Sequence, residues 1–198
     1  MAITSFKTSS MTTGSKRARA WDQSSSPGNF ESIATNTVGV SGASEILFSN
    51  IPQTYTHLQL RFTGRCNLAS NTDNNAEMIF NSDTGSNYSQ HGLYSNNLSA
   101  TGTFANINQT NMLAGRTPGA GSTANVFGVG IIDILDYTNT NKFKTIKSLT
   151  GHDQNGSGFL FLFSGNWRST AAITSIRFIP ANSASWIQHS NFALYGVI

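Results

Sequence analysis

From Phe30 to the C-terminus the chain repeats one pattern: a short run in which apolar and polar residues alternate, followed by a cluster of Asn, Gly, Ser or Thr. His57 to Arg65 shows it most cleanly, with Leu58, Leu60 and Phe62 opposed to Gln59, Arg61 and Thr63. A period of two puts successive side chains on opposite faces of a strand, so this run reads as a half-buried antiparallel strand. The same reading gives strands at Ser32 to Val40, Ile46 to Phe48, Met78 to Phe80, Tyr88 to Tyr94 and Phe104 to Leu113. Further on it gives Val126 to Tyr137, Lys142 to Thr150, Phe159 to Phe163, Ile173 to Pro180 and Asn191 to Ile198. Val126 to Tyr137, the longest apolar run, belongs at the centre of a sheet. Phe159 to Phe163, apolar on both faces, is expected fully buried or at a subunit contact. No segment carries a convincing helical period. Short strands at this spacing predict an all-β fold: a β-sandwich, jelly-roll-like, with an extended N-terminal arm.

Composition explains what fills the space between strands. Charged residues make up 11% of the chain, against roughly 25% in an ordinary soluble domain. Ser, Thr and Asn together number 69 of the 198 residues. They supply turns through left-handed backbone and side-chain-to-backbone bonds, but they leave strand edges with few charged gatekeepers. A homo-oligomer is therefore expected, a trimer by preference. With 38% hydrophobic residues the chain can build a core, which excludes a disordered protein, and the absence of helical heptads excludes a coiled coil. No window approaches ~18 consecutive apolar residues, so no membrane partner is expected. The Ser/Thr-rich start has no apolar stretch of the kind a secretory signal needs, and Cys66, the single cysteine, leaves no internal disulfide.

The charge is unevenly placed. Residues 1–28 carry Lys7, Lys16, Arg17 and Arg19 against Asp22, while the remainder carries eight basic and eight acidic residues. A neutral body argues against a nucleic-acid partner, because affinity for phosphates rests on Lys and Arg. Residues 1–28 read as an anchoring arm and 29–198 as the β-sandwich domain. The expected anchors are the apolar Ile3, Phe6, Met11 and Trp21 and the basic Lys16, Arg17 and Arg19, the last two suited to acidic residues on a partner.

Several patterns suggest chemistry and then fail on spacing. Asp83-Thr84-Gly85-Ser86 matches the short aspartic-protease signature, but that reaction needs two such carboxylates sharing a proton and there is no second copy. A polar turn is the expected reading. Asn71, Asp73, Asn75 and Glu77 begin like a calcium loop, yet the sixth and twelfth positions hold Ala76 and Ser82 where glycine and glutamate are needed. His57, His91, His152 and His189 are scattered without ligand spacing, and no G-x-S-x-G elbow or phosphate-binding glycine loop is present. No catalytic residue, metal or cofactor is expected, and the chain reads as non-enzymatic. Trp167, Trp186 and Tyr94, near Asn-rich loops, are the candidates for stacking on a sugar.

The same stretches carry a likeness. Glu31-Ser-Ile-Ala-Thr, Ile51-Pro-Gln-Thr-Tyr-Thr-His-Leu-Gln-Leu, Phe80-Asn-Ser-Asp-Thr-Gly-Ser-Asn-Tyr and Ile131-Ile-Asp-Ile-Leu-Asp-Tyr-Thr-Asn-Thr-Asn-Lys stand in order along the chain. Ser164-Gly-Asn-Trp, Ala172-Ile-Thr-Ser-Ile and Phe192-Ala-Leu-Tyr-Gly follow. Over about residues 31–198 the chain resembles a β-rich domain that recurs in virion proteins of tailed bacteriophages, especially marine and cyanobacterial ones. The resemblance implies a virion structural protein, a capsid decoration, head fibre or similar appendage, with a phage capsid or tail protein as partner. It also implies that the arm chooses the attachment point. The alternative it leaves open is a tail-fibre or receptor-binding module that recognises host surface glycans.

Overall fold

The alternating runs become strands because each lays an apolar face against the same core. The structure is a computed structural model, and it describes residues 29–69, 72–96 and 100–198. Among these there are twelve strands and no helix: β1 (Phe30–Thr37), β2 (Ile46–Phe48), β3 (His57–Gly64), β4 (Asp73–Phe80), β5 (Tyr88–Asn96) and β6 (Ala100–Gln109). The remaining six are β7 (Met112–Pro118), β8 (Gly128–Leu135), β9 (Lys144–Asp153), β10 (Gly158–Trp167), β11 (Ile176–Pro180) and β12 (Asn191–Val197).

They form two packed antiparallel sheets, one of eight strands in the order β1-β12-β3-β8-β9-β10-β5-β6 and one of four in the order β2-β11-β4-β7. Eight of the twelve make a jelly roll. The outermost strands pair first, β1 with β12 and β2 with β11, and the inner ones follow, β3 with β8 and β4 with β7. The chain crosses between sheets at each of these steps, which wraps one long antiparallel ribbon into a sandwich. Two hairpins are inserted into this plan: β5–β6 between β4 and β7, and β9–β10 between β8 and β11. Both join the larger sheet beyond β8 and widen it past the smaller one.

The core follows the sandwich. Phe62, Phe178, Trp186 and Phe192 pack ring against ring with centroids 4.9 to 6.5 Å apart. Under the inserted hairpins lies a separate cluster of Leu113, Phe161 and Phe163, flanked by Tyr94, Phe104 and Phe159. Phe159, Phe161 and Phe163 stack along one face of β10 at 5.5 and 5.1 Å. Turns use the abundant asparagine as its chemistry allows: of ten non-glycine residues with positive φ among the described ones, six are Asn. Its short amide side chain tolerates the left-handed region better than most residues do.

Most strand ends shift by a few residues from the sequence reading, and three differences have a visible reason or consequence. Phe104 to Leu113 is two strands, β6 and β7, which belong to different sheets and meet at Thr110 and Asn111. β4 begins at Asp73, five residues before Met78, because Asp73 reaches Arg116 on β7 in an ion pair that holds the polar half of the strand. β1 ends at Thr37 and not at Val40, which is 84% exposed.

Candidate docking face

The inserted hairpins invert the usual rule for a half-buried strand. On β9 the buried residues are Lys144, Ile146, Ser148, Thr150 and His152, while Lys147 and Leu149 face outward. Polar side chains go inside because β7 crosses beneath them and leaves backbone groups that β4 does not satisfy. Ser148 donates its hydroxyl to the Ala114 carbonyl, Thr150 Oγ1 accepts the Arg116 N–H at 3.2 Å, and Gln90 Oε1 on β5 accepts the Leu113 N–H at 2.6 Å. The free edge of the smaller sheet is thereby capped by side chains of the larger one. The approach is close enough to need glycine, since a Cβ on Gly115 would lie 2.4 Å from Thr150 Cγ2 and one on Gly165 would lie 2.4 Å from Met112 Sδ.

Lys144 shows the same logic. Its ammonium is surrounded by the carbonyls of Asn139, Lys142 and Thr170, the last two at 3.0 and 3.1 Å. Burial, and then the neighbouring Lys142, lower its pKa from the ordinary lysine value. His152 is held neutral: burial first, then Arg116, pushes its pKa down, with Asp153 opposing.

What this arrangement turns outward is aliphatic. Ile131 on β8 is opposite Leu149 on β9, Leu149 is opposite Leu162 on β10, and Leu162 is opposite Leu93 on β5. These four, exposed by 44%, 50%, 45% and 52%, form an unbroken ladder across four strands. Val129, Leu160 and Leu135 extend it on both sides. A groove of about 720 Å³ runs along the Val129 and Leu160 side. A second groove, of about 850 Å³, runs along the Leu135, Lys147 and His91 side. Seven such side chains, each about half exposed, present on the order of 600 Å² of aliphatic surface, the upper end of what a typical monomer shows in its largest patch.

The charges on this face are few and are already engaged. Lys147 lies 3.8 Å from Asp133, and Asp133 also accepts a hydrogen bond from Gln59 Nε2 at 2.7 Å. Arg61 at the margin stacks over Phe30 and Tyr195, 4.8 and 5.4 Å from their ring centres. The rest of the rim is Asp153, whose carboxylate accepts the Asn155 N–H at 2.9 Å, with His91, Thr63, Ser95, Thr103, Thr145, Ser157 and Ser164. The far edge of the sheet is β6, ten residues without a charge or a proline, and no described strand pairs with its outer side.

The residues singled out in the sequence fall elsewhere. Trp167 and Trp186 are 2% and 0% exposed, which corrects the expectation that they stack on a sugar, since neither indole has a free face. Trp167 donates its Nε1–H to Asp83 Oδ2 at 2.7 Å and stacks with Tyr88, while Trp186 donates to the Phe178 carbonyl at 3.2 Å. Tyr94 is half-buried between Phe104 and Phe161 on the inner side of β5. Ile3, Phe6, Met11, Lys16, Arg17, Arg19 and Trp21 lie outside the described residues.

Asp83 is a turn residue. Its carboxylate also accepts the Gly85 N–H at 2.8 Å and the Asn87 amide at 2.9 Å. Burial opposes the charge, but the hydrogen bonds from Trp167, Asn87 and Gly85 together hold the carboxyl below the usual range. Beside it the Tyr88 hydroxyl, pushed up to about 12 by burial, donates to the Asp83 carbonyl at 2.9 Å. Asn71 lies outside the described residues; Asp73, Asn75 and Glu77 are strung along β4 as alternate residues of a strand, where they point the same way without converging. Among the described residues no three His, Cys, Asp or Glu side chains gather into a metal-holding group.

The outward aliphatic face is only half legible in the sequence, where Phe159 to Phe163 reads as fully buried or at a subunit contact. The signal was the double-sided apolar run Phe159 to Phe163 opposite Leu93 and Leu149, which periodicity marks as two-faced without saying which face stays open. No protein-family model, no curated protein and no solved structure matches this chain.

Proposed function

We propose that this chain is a non-enzymatic structural component of a tailed-bacteriophage particle, a capsid decoration, head fibre or similar appendage that works by binding other protein surfaces. The observation that carries the reading is the aliphatic ladder of Ile131, Leu149, Leu162 and Leu93, an outward apolar face built from two hairpins added to a jelly roll. Such a face costs a free monomer solubility and is useful when another protein covers it. The resemblance over residues 31–198 to virion domains of tailed phages supports the particle as the place of assembly. Residues 1–28, with the basic Lys16, Arg17 and Arg19, are the proposed attachment segment, aimed at an acidic patch on a capsid or tail protein.

The test is location on intact particles. A label fused after Ile198, which is 53% exposed, is expected to appear at regular positions on purified virions of the encoding phage. A variant lacking residues 1–28 is expected to fold and to be missing from those particles. Normal incorporation of the shortened chain would remove the attachment role from residues 1–28, and absence of the labelled full chain from virions would overturn the virion reading altogether.

A further inference from the structure

The ladder asks for a partner of the same character, and its chemistry narrows the choice. A standard interface takes about 800 Å² from each side, with an apolar centre and a polar rim. The aliphatic patch and its ring of Thr and Ser hydroxyls are close to that size and composition. A partner carrying net charge gains little here, because Lys147 and Asp133 already neutralise one another within the chain. A neutral, apolar, flat surface fits best, and the chain supplies one: its own.

We infer that the face formed by β8, β9, β10 and β5 is covered by the same face of a second copy, related by a two-fold axis that runs parallel to the strands between β9 and β10. The inference rests on the reading of this face as an assembly surface and adds the identity of its occupant. The axis is chosen by the residues. It sets Leu149 against the partner's Leu162 and Ile131 against the partner's Leu93, so the ladder meets itself along its whole length. It sets Leu160, 57% exposed beside the ladder, over the partner's Gly151, which has no side chain to obstruct it. It brings Asp133 opposite the partner's His91 and Lys147 opposite the partner's Ser164, so that no two like charges meet. An in-plane axis at right angles to this one would put Val129 over the partner's Asp133 and Leu160 over the partner's Ser164, covering the Asp133–Lys147 pair with aliphatic surface and giving its carboxylate no donor across the interface. Strands of the two sheets stay roughly aligned, as they do in ordinary face-to-face sheet packing at about 10 Å. The arrangement is a closed pair, in place of the trimer that edge stickiness alone suggests.

Two measurements on the full chain test it. In solution at tens of micromolar, light scattering is expected to give twice the 21.3 kDa chain mass, and the Leu149→Lys/Leu162→Lys variant is expected to give the single-chain mass with an unchanged far-ultraviolet circular dichroism spectrum. Then the axis is tested with Ile131→Cys/Leu93→Cys. These positions lie three strand spacings apart in one chain, about 14 Å, beyond the roughly 7 Å that a disulfide can span. Sheets about 10 Å apart exceed that span as well, so a thiol-reactive cross-linker of about 10 Å reach is used: with it this variant is expected to form a covalent dimer, while Val40→Cys, on a remote exposed loop, stays single. A wild-type monomer or trimer, a dimer that survives the two lysines, or no cross-link between 131 and 93 would each overturn the inference. None of those outcomes touches the proposed virion role, which is read from particle incorporation.

Discussion

The two faces of the widened sheet are made by the same strands and obey opposite rules. On β9 and β10 the inward positions hold Ser148, Thr150, His152 and Lys144 together with Phe161 and Phe163, whereas the outward positions hold Leu149, Leu160 and Leu162. The inner face is polar where it meets the backbone of β7 and aromatic where it meets the side chain of Leu113. The outer face is aliphatic with nothing of its own chain among the described residues laid over it. The difference teaches that burial on a strand is decided by what approaches it, and that hydrophobicity alone predicts the wrong side of β9.

Neighbouring substitutions test the contrast directly. Phe161→Ala, on the inner face, is expected to destabilise the fold by about 3–5 kcal/mol, as truncating a buried aromatic does. Chemical denaturation in dilute solution reads it, and a loss below that of Leu162→Ala would dissolve the distinction between faces. Next in size is Ser148→Ala, which leaves the Ala114 carbonyl buried without its donor and is expected to cost about 1–3 kcal/mol; the same measurement applied to Thr145→Ala, one strand face over and exposed, should show almost no change. Leu162→Ala in the dilute monomer is expected to fall within about 0.5 kcal/mol of the parent, as exposed substitutions do, while weakening association at higher concentration. A loss of several kcal/mol in the monomer would mean that the outer face is already covered by its own chain.

The inner face should also respond to acid. The His152 pKa is lowered in the folded chain by burial and by Arg116, so the unfolded chain takes up a proton first as the pH falls. Stability is then full above the ordinary histidine range near about 6.5 and declines below it. His152→Phe is expected to flatten that decline, compared as denaturation midpoints at pH 7.5 and pH 5.5. An unchanged slope in the variant would place the acid sensitivity in other groups.

Much of this was readable before any coordinates. The alternation in His57 to Arg65 marked β3 and its buried face, the long apolar run from Val126 to Tyr137 marked a central strand, which is β8, and Asp83-Thr84-Gly85-Ser86 read as a turn. Each of these is a local matter of period or of side-chain-to-backbone bonding within a few residues. The candidate site was less legible. Trp167 and Trp186 looked exposed by their polar neighbours and are buried, because the residues that enclose them, Phe80 and Tyr88 for one and Phe62, Phe178 and Phe192 for the other, come from distant strands.

Period two is a property of the backbone, so the strand character, the all-β class and the pairing of residues onto shared faces were already set along the chain. Which of two faces is closed is a property of neighbours far apart in sequence. Only when β7 passes under β9 do Ser148 and Thr150 find backbone groups to satisfy, and only then does Leu149, with Leu162 and Leu93 beside it, have nowhere to go but out.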